Sequence, residues 1–119
     1  MLRNYKDLNV WQKAYHFCLD VYRITKKFPR EENFCMVSQM RRAAISVPSN
    51  IAEGYGRKTT KEYIQFLYIA YGSLCELETQ ILLSGDLEYL ESEQLLECQS
   101  GLGDIERMLK SLIRSLEKK

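Results

Sequence analysis

A proline inside an amphipathic helical repeat is the feature that most constrains the fold of this chain. Apolar side chains recur every three or four positions between residues 37 and 55, which predicts a helix with one buried face. Pro48 lies within this repeat, where it removes a backbone donor and presses on the carbonyl of Ala44. We therefore predict a helix that is kinked near Pro48. Gly54 and Gly56 then provide flexible positions at which this helix ends.

The rest of the chain repeats the same spacing and predicts three more helices. We expect the first helix to be capped by Asp7 and to end near Lys27, and the second to start near Glu31. The third helix should start with a capping box at Thr59 to Glu62 and end with a cap at Gly85. The fourth helix should start at Ser92. Because no strand alternation or long linker interrupts the 119 residues, we predict a single all-α domain, residues 1–119. Its short connections favour an antiparallel up-down-up-down four-helix bundle.

The first and third helices carry more apolar surface than one four-helix core can hide. On the third helix the apolar arc spans about 200°, whereas a surface helix needs only about 100°. Gly72, in the middle of this helix, is unfavourable by about 1 kcal/mol relative to alanine. We therefore predict that another helix comes close to Gly72. Because large exposed apolar patches mark interfaces, we also expect the protein to form a homo-oligomer.

Two charged residues fall on or beside the apolar arcs of their helices. Glu78 lies inside the arc of the third helix, and Arg41 lies on the flank of the arc of the second. In a hairpin that turns near residues 57 and 58, both side chains point toward the core. We therefore predict a largely buried Arg41–Glu78 ion pair. Removing either partner would then lower the free energy of unfolding by about 3 to 5 kcal/mol, because the other charge would be left buried and unpaired.

The net charge of +1 hides an uneven distribution along the chain. Residues 1–61 hold 12 Lys and Arg against 5 Asp and Glu (+7), and residues 62–119 hold 5 against 11 (−6). In an up-down bundle, one end collects eight basic residues: Arg3, Lys6, Arg57, Lys58, Lys61, Arg114, Lys118 and Lys119. Four acids lie there too, which leaves +4: Asp7, Glu53, Glu62 and Glu117. Either this end is a solvated charged rim or it contacts phosphate groups.

Other functional classes find little support in the sequence. The single histidine, His16, has no recognisable nucleophile arrangement around it, and no glycine-rich loop follows a strand, so we predict neither an enzyme nor a cofactor. The four cysteines are widely spaced, which favours reduced thiols over a metal site. No apolar run is long enough for a membrane span, and no signal peptide is evident. We therefore expect a cytoplasmic protein.

Several short segments resemble a known protein family: Val10-Trp-Gln-Lys-Ala14, Phe28-Pro29, Gln39-Met-Arg-Arg-Ala-Ala44, Ser46-Val-Pro-Ser-Asn-Ile-Ala-Glu-Gly54 and Ala70-Tyr-Gly-Ser-Leu-Cys-Glu-Leu-Glu78. In these segments the chain resembles small bacterial four-helix-bundle proteins encoded within intervening sequences of 23S rRNA genes. That family is related to the accessory protein of diversity-generating retroelements. The resemblance covers residues 8 to about 90.

This resemblance carries expectations about assembly and partners. It implies a four-helix bundle, a homopentamer and a role in binding RNA or DNA, and it brings no catalytic residues. The alternative function is a protein-interaction scaffold that docks a partner such as a reverse transcriptase without touching nucleic acid.

Overall fold

The computed structural model describes residues 4–118, which form four α-helices and two short 3-10 turns. The helices are α1 (Asn9–Thr25), α2 (Met36–Tyr55), α3 (Thr60–Asp86) and α4 (Ser92–Glu117). The 3-10 turns are Tyr5–Asp7, before α1, and Arg30–Glu32, between α1 and α2. No strand occurs in the part of the chain that the structure describes. The predicted all-α fold is confirmed.

Cross-helix contacts define how the helices pack. Arg41, near the start of α2, donates a hydrogen bond from Nε to Oγ1 of Thr25 at the end of α1, at 3.0 Å. Tyr68, near the start of α3, donates from its hydroxyl to Oε2 of Glu117 at the end of α4, at 3.3 Å. Helix α2 therefore runs antiparallel to α1, and α4 to α3; α2 and α3 are likewise antiparallel, because Ser46 bonds Ser73 and Gly54 lies against Phe66. Helix α1 also packs on α4, which closes the bundle.

The core is an apolar column to which all four helices contribute. Its most completely buried side chains include Val21 of α1, Met40 and Ile51 of α2, Ile81 of α3 and Leu109 of α4. These residues belong to the three-four repeats that the sequence shows. Burying a side chain of this size stabilises the fold by about 1.5 to 3 kcal/mol relative to leaving it exposed.

Helix α2 continues through Pro48 without interruption. Pro48 and its neighbour Val47 are both buried, so close packing supports the helix where a hydrogen bond is missing. The extent of the kink stays a prediction. Gly56, not Gly54, is the C-terminal cap, and its N–H donates to the carbonyl of Ala52 at 3.2 Å.

Gly54 has a different role from the one that the sequence predicts. It is buried inside the last turn of α2, and a Cβ atom built there would lie 2.8 Å from Cβ of Phe66 and 3.2 Å from the carbonyl oxygen of Tyr63. Real Cβ atoms essentially never approach so closely. Gly54 is therefore required by the close approach of α2 and α3, and not by flexibility at a helix end.

Three predicted boundaries are wrong for local reasons. Asp7 ends a 3-10 turn, so Leu8 becomes the N-cap of α1. Helix α2 starts at Met36 because the chain around Glu31 forms a separate 3-10 turn. Gly85 lies inside α3, and the left-handed residue of the following connection is Glu88, with φ of 64°.

Two predicted helix starts are confirmed. Oγ1 of Thr59 accepts a hydrogen bond from the N–H of Glu62 at 3.1 Å and caps α3. Helix α4 starts at Ser92, where Glu91 and Gln94 form a capping box.

The predicted Arg41–Glu78 ion pair is wrong. The guanidinium of Arg41 points toward α1, where Nη2 donates to the carbonyl oxygen of Tyr22 at 3.3 Å and Cζ lies 4.6 Å from the centre of the Tyr22 ring. Its Nε bonds Thr25, as described above. Glu78 is exposed on the outside of α3. The spacing of these residues indicates an arc on each helix, but it does not indicate which neighbouring helix each side chain faces.

The predicted close helix contact at Gly72 is absent within one chain. Gly72 is exposed on the outside of α3, and a Cβ atom built there has no neighbour within 4 Å. None of the described helices is both long enough and apolar enough to cross a membrane.

Candidate nucleic-acid interface

The start of α1, the α2–α3 connection and the end of α4 meet at one end of the bundle, termed here the basic end. Tyr5 and Ala52 line the same groove there, and the Tyr68–Glu117 hydrogen bond joins α3 to α4. Six predicted cations occupy this end, and all of them are exposed: Lys6, Arg57, Lys58, Lys61, Arg114 and Lys118. Two others, Arg3 and Lys119, lie outside the described residues. The structure thus brings together the six predicted residues that it describes.

Arg57 is engaged by its own chain. Its Nη2 lies 2.9 Å from Oε2 of Glu53 one helical turn earlier, and its Cζ lies 4.7 Å from the centre of the Phe66 ring. Exposed ion pairs of this kind contribute about 0 to 1 kcal/mol to stability. These contacts help to hold the α2–α3 connection in place. Because Glu53 partly neutralises Arg57, this side chain attracts an anionic ligand less strongly than an unpaired cation would.

Lys58 and Lys61 are unpaired cations on the same connection. Both are exposed, and within residues 4–118 neither forms an ion pair. Lys61 belongs to the first turn of α3, where unsatisfied backbone N–H groups and the helix dipole favour anions. Thr59 satisfies one of those N–H groups, that of Glu62. The start of α3 therefore adds to the positive potential around the two lysines.

Arg114 and Lys118 form a second set of cations at the end of α4. Both are exposed, and neither makes an ion pair with a described residue. Arg114 lines a groove of about 230 Å³ between α3 and α4, together with Tyr68 and Tyr71. The ring of Tyr68 is half exposed, at 51%. A cation and an accessible aromatic ring thus share one surface.

Lys110 extends this groove, but its charge is partly neutralised. Its Nζ lies 3.0 Å from Oε2 of Glu106 and 5.4 Å from the centre of the Tyr71 ring. The hydrogen bond between them raises the pKa of Lys110 and lowers the pKa of Glu106. Both groups are therefore charged at neutral pH.

Sequence reasoning missed the side chains of the α3/α4 groove. Tyr68 and Tyr71 contribute to the surplus apolar arc of α3, and Lys110 belongs to the polar face of α4. Nothing in their spacing relates them to Arg114, because the relation depends on the register between two antiparallel helices. Aligning the end of α4 with the start of α3 is the signal that could have found them.

The two ends of the bundle differ in the sign of their charge. At the basic end, the eight predicted cations minus four acids leave +4, and six of those cations lie within the described residues; the acids are Asp7, Glu53, Glu62 and Glu117. At the opposite end, three cations minus six acids leave −3; these are Lys26, Lys27 and Arg30 against Glu31, Glu32, Asp86, Glu88, Glu91 and Glu93. Phosphate groups would therefore be drawn to one end of the bundle.

Comparisons with known proteins agree with this fold. The family model described as 23S rRNA-intervening sequence protein matches residues 6–111 of the chain. A crystal structure of a protein of unknown function from the S23 ribosomal protein family of Bacteroides thetaiotaomicron is 26% identical to the chain, with a TM-score of 0.82. The alignment covers 88% of this chain and 95% of that one. None of the curated proteins matches the chain.

Proposed function

The chain belongs to the family of 23S rRNA-intervening sequence proteins, and from this premise we propose that it is a non-enzymatic, cytoplasmic protein that binds RNA or DNA through its basic end. The observation that carries this proposal is a set of exposed cations at the basic end that form no ion pair with a described residue: Lys58, Lys61, Arg114 and Lys118. Arg114 also shares a groove with the half-exposed Tyr68. Lysine and arginine contact phosphate groups, and aromatic rings stack on unpaired bases.

The proposed binding does not depend on base sequence. Backbone contacts position a protein on nucleic acid, whereas base edges are read by side chains that enter a groove. Within residues 4–118, the basic end consists of helix ends and one connection between helices. We therefore expect random and defined sequences to bind with similar affinity.

Self-association is part of this proposal. One chain with a local surplus of four positive charges would bind weakly. In a ring, and in particular in the homopentamer that the family resemblance implies, every copy presents its basic end in the same direction. The phosphate contacts available to one polymer are then multiplied.

Charge reversal tests the proposal with a matched control. The test variant carries Lys58→Glu and Lys61→Glu at the basic end, and the control carries Lys26→Glu and Lys27→Glu at the opposite end. All four lysines are exposed, so both variants should keep the helical circular dichroism of the unmodified protein. Fluorescence anisotropy with a labelled single strand should show at least a tenfold weaker Kd for the test variant and little change for the control. Equal losses in both variants would exclude the basic end as the binding surface.

A second candidate function is a scaffold that docks a protein partner such as a reverse transcriptase. The observation in its favour lies at the opposite end of the bundle, where three apolar side chains are exposed: Phe34 by 95%, Leu96 by 66% and Leu87 by 50%. Contiguous exposed apolar surface marks interaction sites. If the unmodified protein fails to bind nucleic acid at low salt, this alternative takes precedence.

A further inference from the structure

Most aromatic rings at the basic end already have a partner within the chain. The rings of Tyr55 and Tyr63 lie 6.0 Å apart, edge to face. An arginine guanidinium lies over the ring of Phe66, and a lysine ammonium lies 5.4 Å from the centre of the Tyr71 ring. Each of these rings therefore already contacts a group of its own chain.

Tyr68 differs from these rings because its own ring has no such partner. The residue is half exposed, and within residues 4–118 no second ring and no cation is stacked on it. Its hydroxyl donates to Oε2 of Glu117 at 3.3 Å, which orients the ring toward α4. Among the exposed rings that the structure describes, only Phe34, at the opposite end of the bundle, is likewise without a partner. Tyr68 thus presents an oriented aromatic surface that its own chain does not use.

Tyr68 lines the α3/α4 groove, which leaves space beside its ring. Tyr71 follows one turn later on the same side of α3, and the buried Ile113 contributes an apolar side chain from α4. The groove volume of about 230 Å³ lies below the range of roughly 300 to 1,000 Å³ found for pockets that enclose a drug-sized ligand. The space therefore suits one planar group that lies against Tyr68, and not a whole small-molecule ligand.

Unpaired cations lie on both sides of this ring along the bundle. Lys61 precedes Tyr68 by seven positions, which places it on the same side of α3, about 10 Å nearer to the basic end. Tyr68 is level with Glu117, so Arg114, one turn earlier in the antiparallel α4, lies on the far side of the ring. Neither Lys61 nor Arg114 forms an ion pair with a described residue. A nucleotide whose base lies on Tyr68 would therefore have a cation available for the phosphate on each side.

We propose that Tyr68 is a stacking platform for an unpaired base, so that the ligand of the basic end is a single strand and not a duplex. This inference deepens the proposed nucleic-acid binding and rests on it. The base lies on the ring of Tyr68 in the α3/α4 groove, and the neighbouring phosphates point toward Lys61 and Arg114. Every base has a π face, so the contact tolerates any sequence, as the proposed function requires.

A duplex cannot use this contact without losing its own base pairing. The bases of a duplex are stacked on each other, and moving one of them out of the stack requires unstacking and unpairing. A duplex would therefore contact the basic end through its phosphate groups alone. A single strand makes the same kind of phosphate contacts and gains the stacking contact with Tyr68 in addition.

A strand without bases isolates the stacking contact in the unmodified protein. The probes are a labelled oligothymidylate and a labelled abasic strand with the same number of phosphates, compared by fluorescence anisotropy at one low salt concentration. We expect the strand with bases to bind at least fivefold more tightly, which is the gain from about one stacked base. Equal affinities would overturn this inference and leave phosphate binding at the basic end intact. If neither strand binds, the proposed function fails together with the inference.

Substitutions of Tyr68 assign the stacking contact to its ring. Tyr68→Ala should weaken binding of the oligothymidylate at least fivefold and leave the affinity for the abasic strand unchanged. Tyr68→Phe keeps the ring and loses only the hydrogen bond to Glu117, so it should bind both strands like the unmodified protein. Phe34→Ala is the matched control, because it removes an equally unpartnered ring at the opposite end. Equal losses for both strands in Tyr68→Ala, or a loss as large in Tyr68→Phe or Phe34→Ala, would overturn the inference.

Photocrosslinking locates the base without any substitution in the protein. A single strand that carries 5-iodouracil crosslinks, on irradiation, to an aromatic ring in contact with the base. Mass spectrometry of the digested product should identify the peptide that contains Tyr68. Crosslinks that occur only at other exposed rings, such as those of Tyr15 or Phe34, would overturn the inference.

Discussion

Gly54 and Gly72 occupy two regions of the bundle that look alike in sequence and differ in structure. Both are glycines inside helices that the apolar repeat predicts. At Gly54, α2 and α3 approach so closely that a Cβ atom would lie 2.8 Å from Phe66. At Gly72, the same helix α3 has no neighbour within 4 Å. The first region is packed by the chain itself, and the second is left open on the surface.

The largest effect on stability is expected at Gly54. Gly54→Ala should lower the free energy of unfolding by about 1 to 3 kcal/mol, because the new methyl group overlaps Cβ of Phe66 and the backbone of Tyr63. Urea denaturation followed by circular dichroism measures the change. An unfolding midpoint equal to that of the unmodified protein would show that the contact between α2 and α3 is loose.

The inner contact of Arg41 is expected to have the next largest effect. Arg41→Met should lower the free energy of unfolding by about 1 to 2 kcal/mol, because Thr25 and the carbonyl of Tyr22 lose a charged donor. Glu78→Gln, on the exposed side of α3, should change it by less than about 0.5 kcal/mol. The same urea titrations compare the two variants. Equal losses of unfolding free energy in the two variants would instead support an Arg41–Glu78 ion pair, which the structure contradicts.

The smallest effect is expected at Gly72, with the opposite sign. Gly72→Ala should raise the free energy of unfolding by about 0.5 to 1 kcal/mol, because alanine favours the helix and meets no neighbour within the chain. Thermal unfolding of this variant measures the shift. A decrease would mean that the position is already packed within one chain.

The sequence predicts the parts of this structure that depend on one helix at a time. Apolar spacing predicts the four helices, and local capping chemistry predicts the starts of α3 at Thr59 and α4 at Ser92. It fails where two helices must be placed against each other. The direction of Arg41, the close contact at Gly54 and the open surface at Gly72 all depend on the register and distance of a neighbouring helix.

The candidate site follows the same rule. The sequence places the predicted cations at one end through topology alone, and the described ones lie there. The contact of Arg57 with Glu53 spans four positions, so the spacing could have indicated it. The groove shared by Tyr68 and Arg114 could not be predicted, because it depends on the register between α3 and α4.

The central claim is that nucleic acid binds at the basic end. The direct measurement is the affinity for a single strand as a function of salt, for the Lys58→Glu/Lys61→Glu variant and for the Lys26→Glu/Lys27→Glu control, which change the net charge by the same amount. Each phosphate neutralised contributes about −0.7 to the slope of log K against log salt on single strands. We expect the control to keep the slope of the unmodified protein and the basic-end variant to show a clearly shallower slope. Equal slopes for the two variants would contradict the claim.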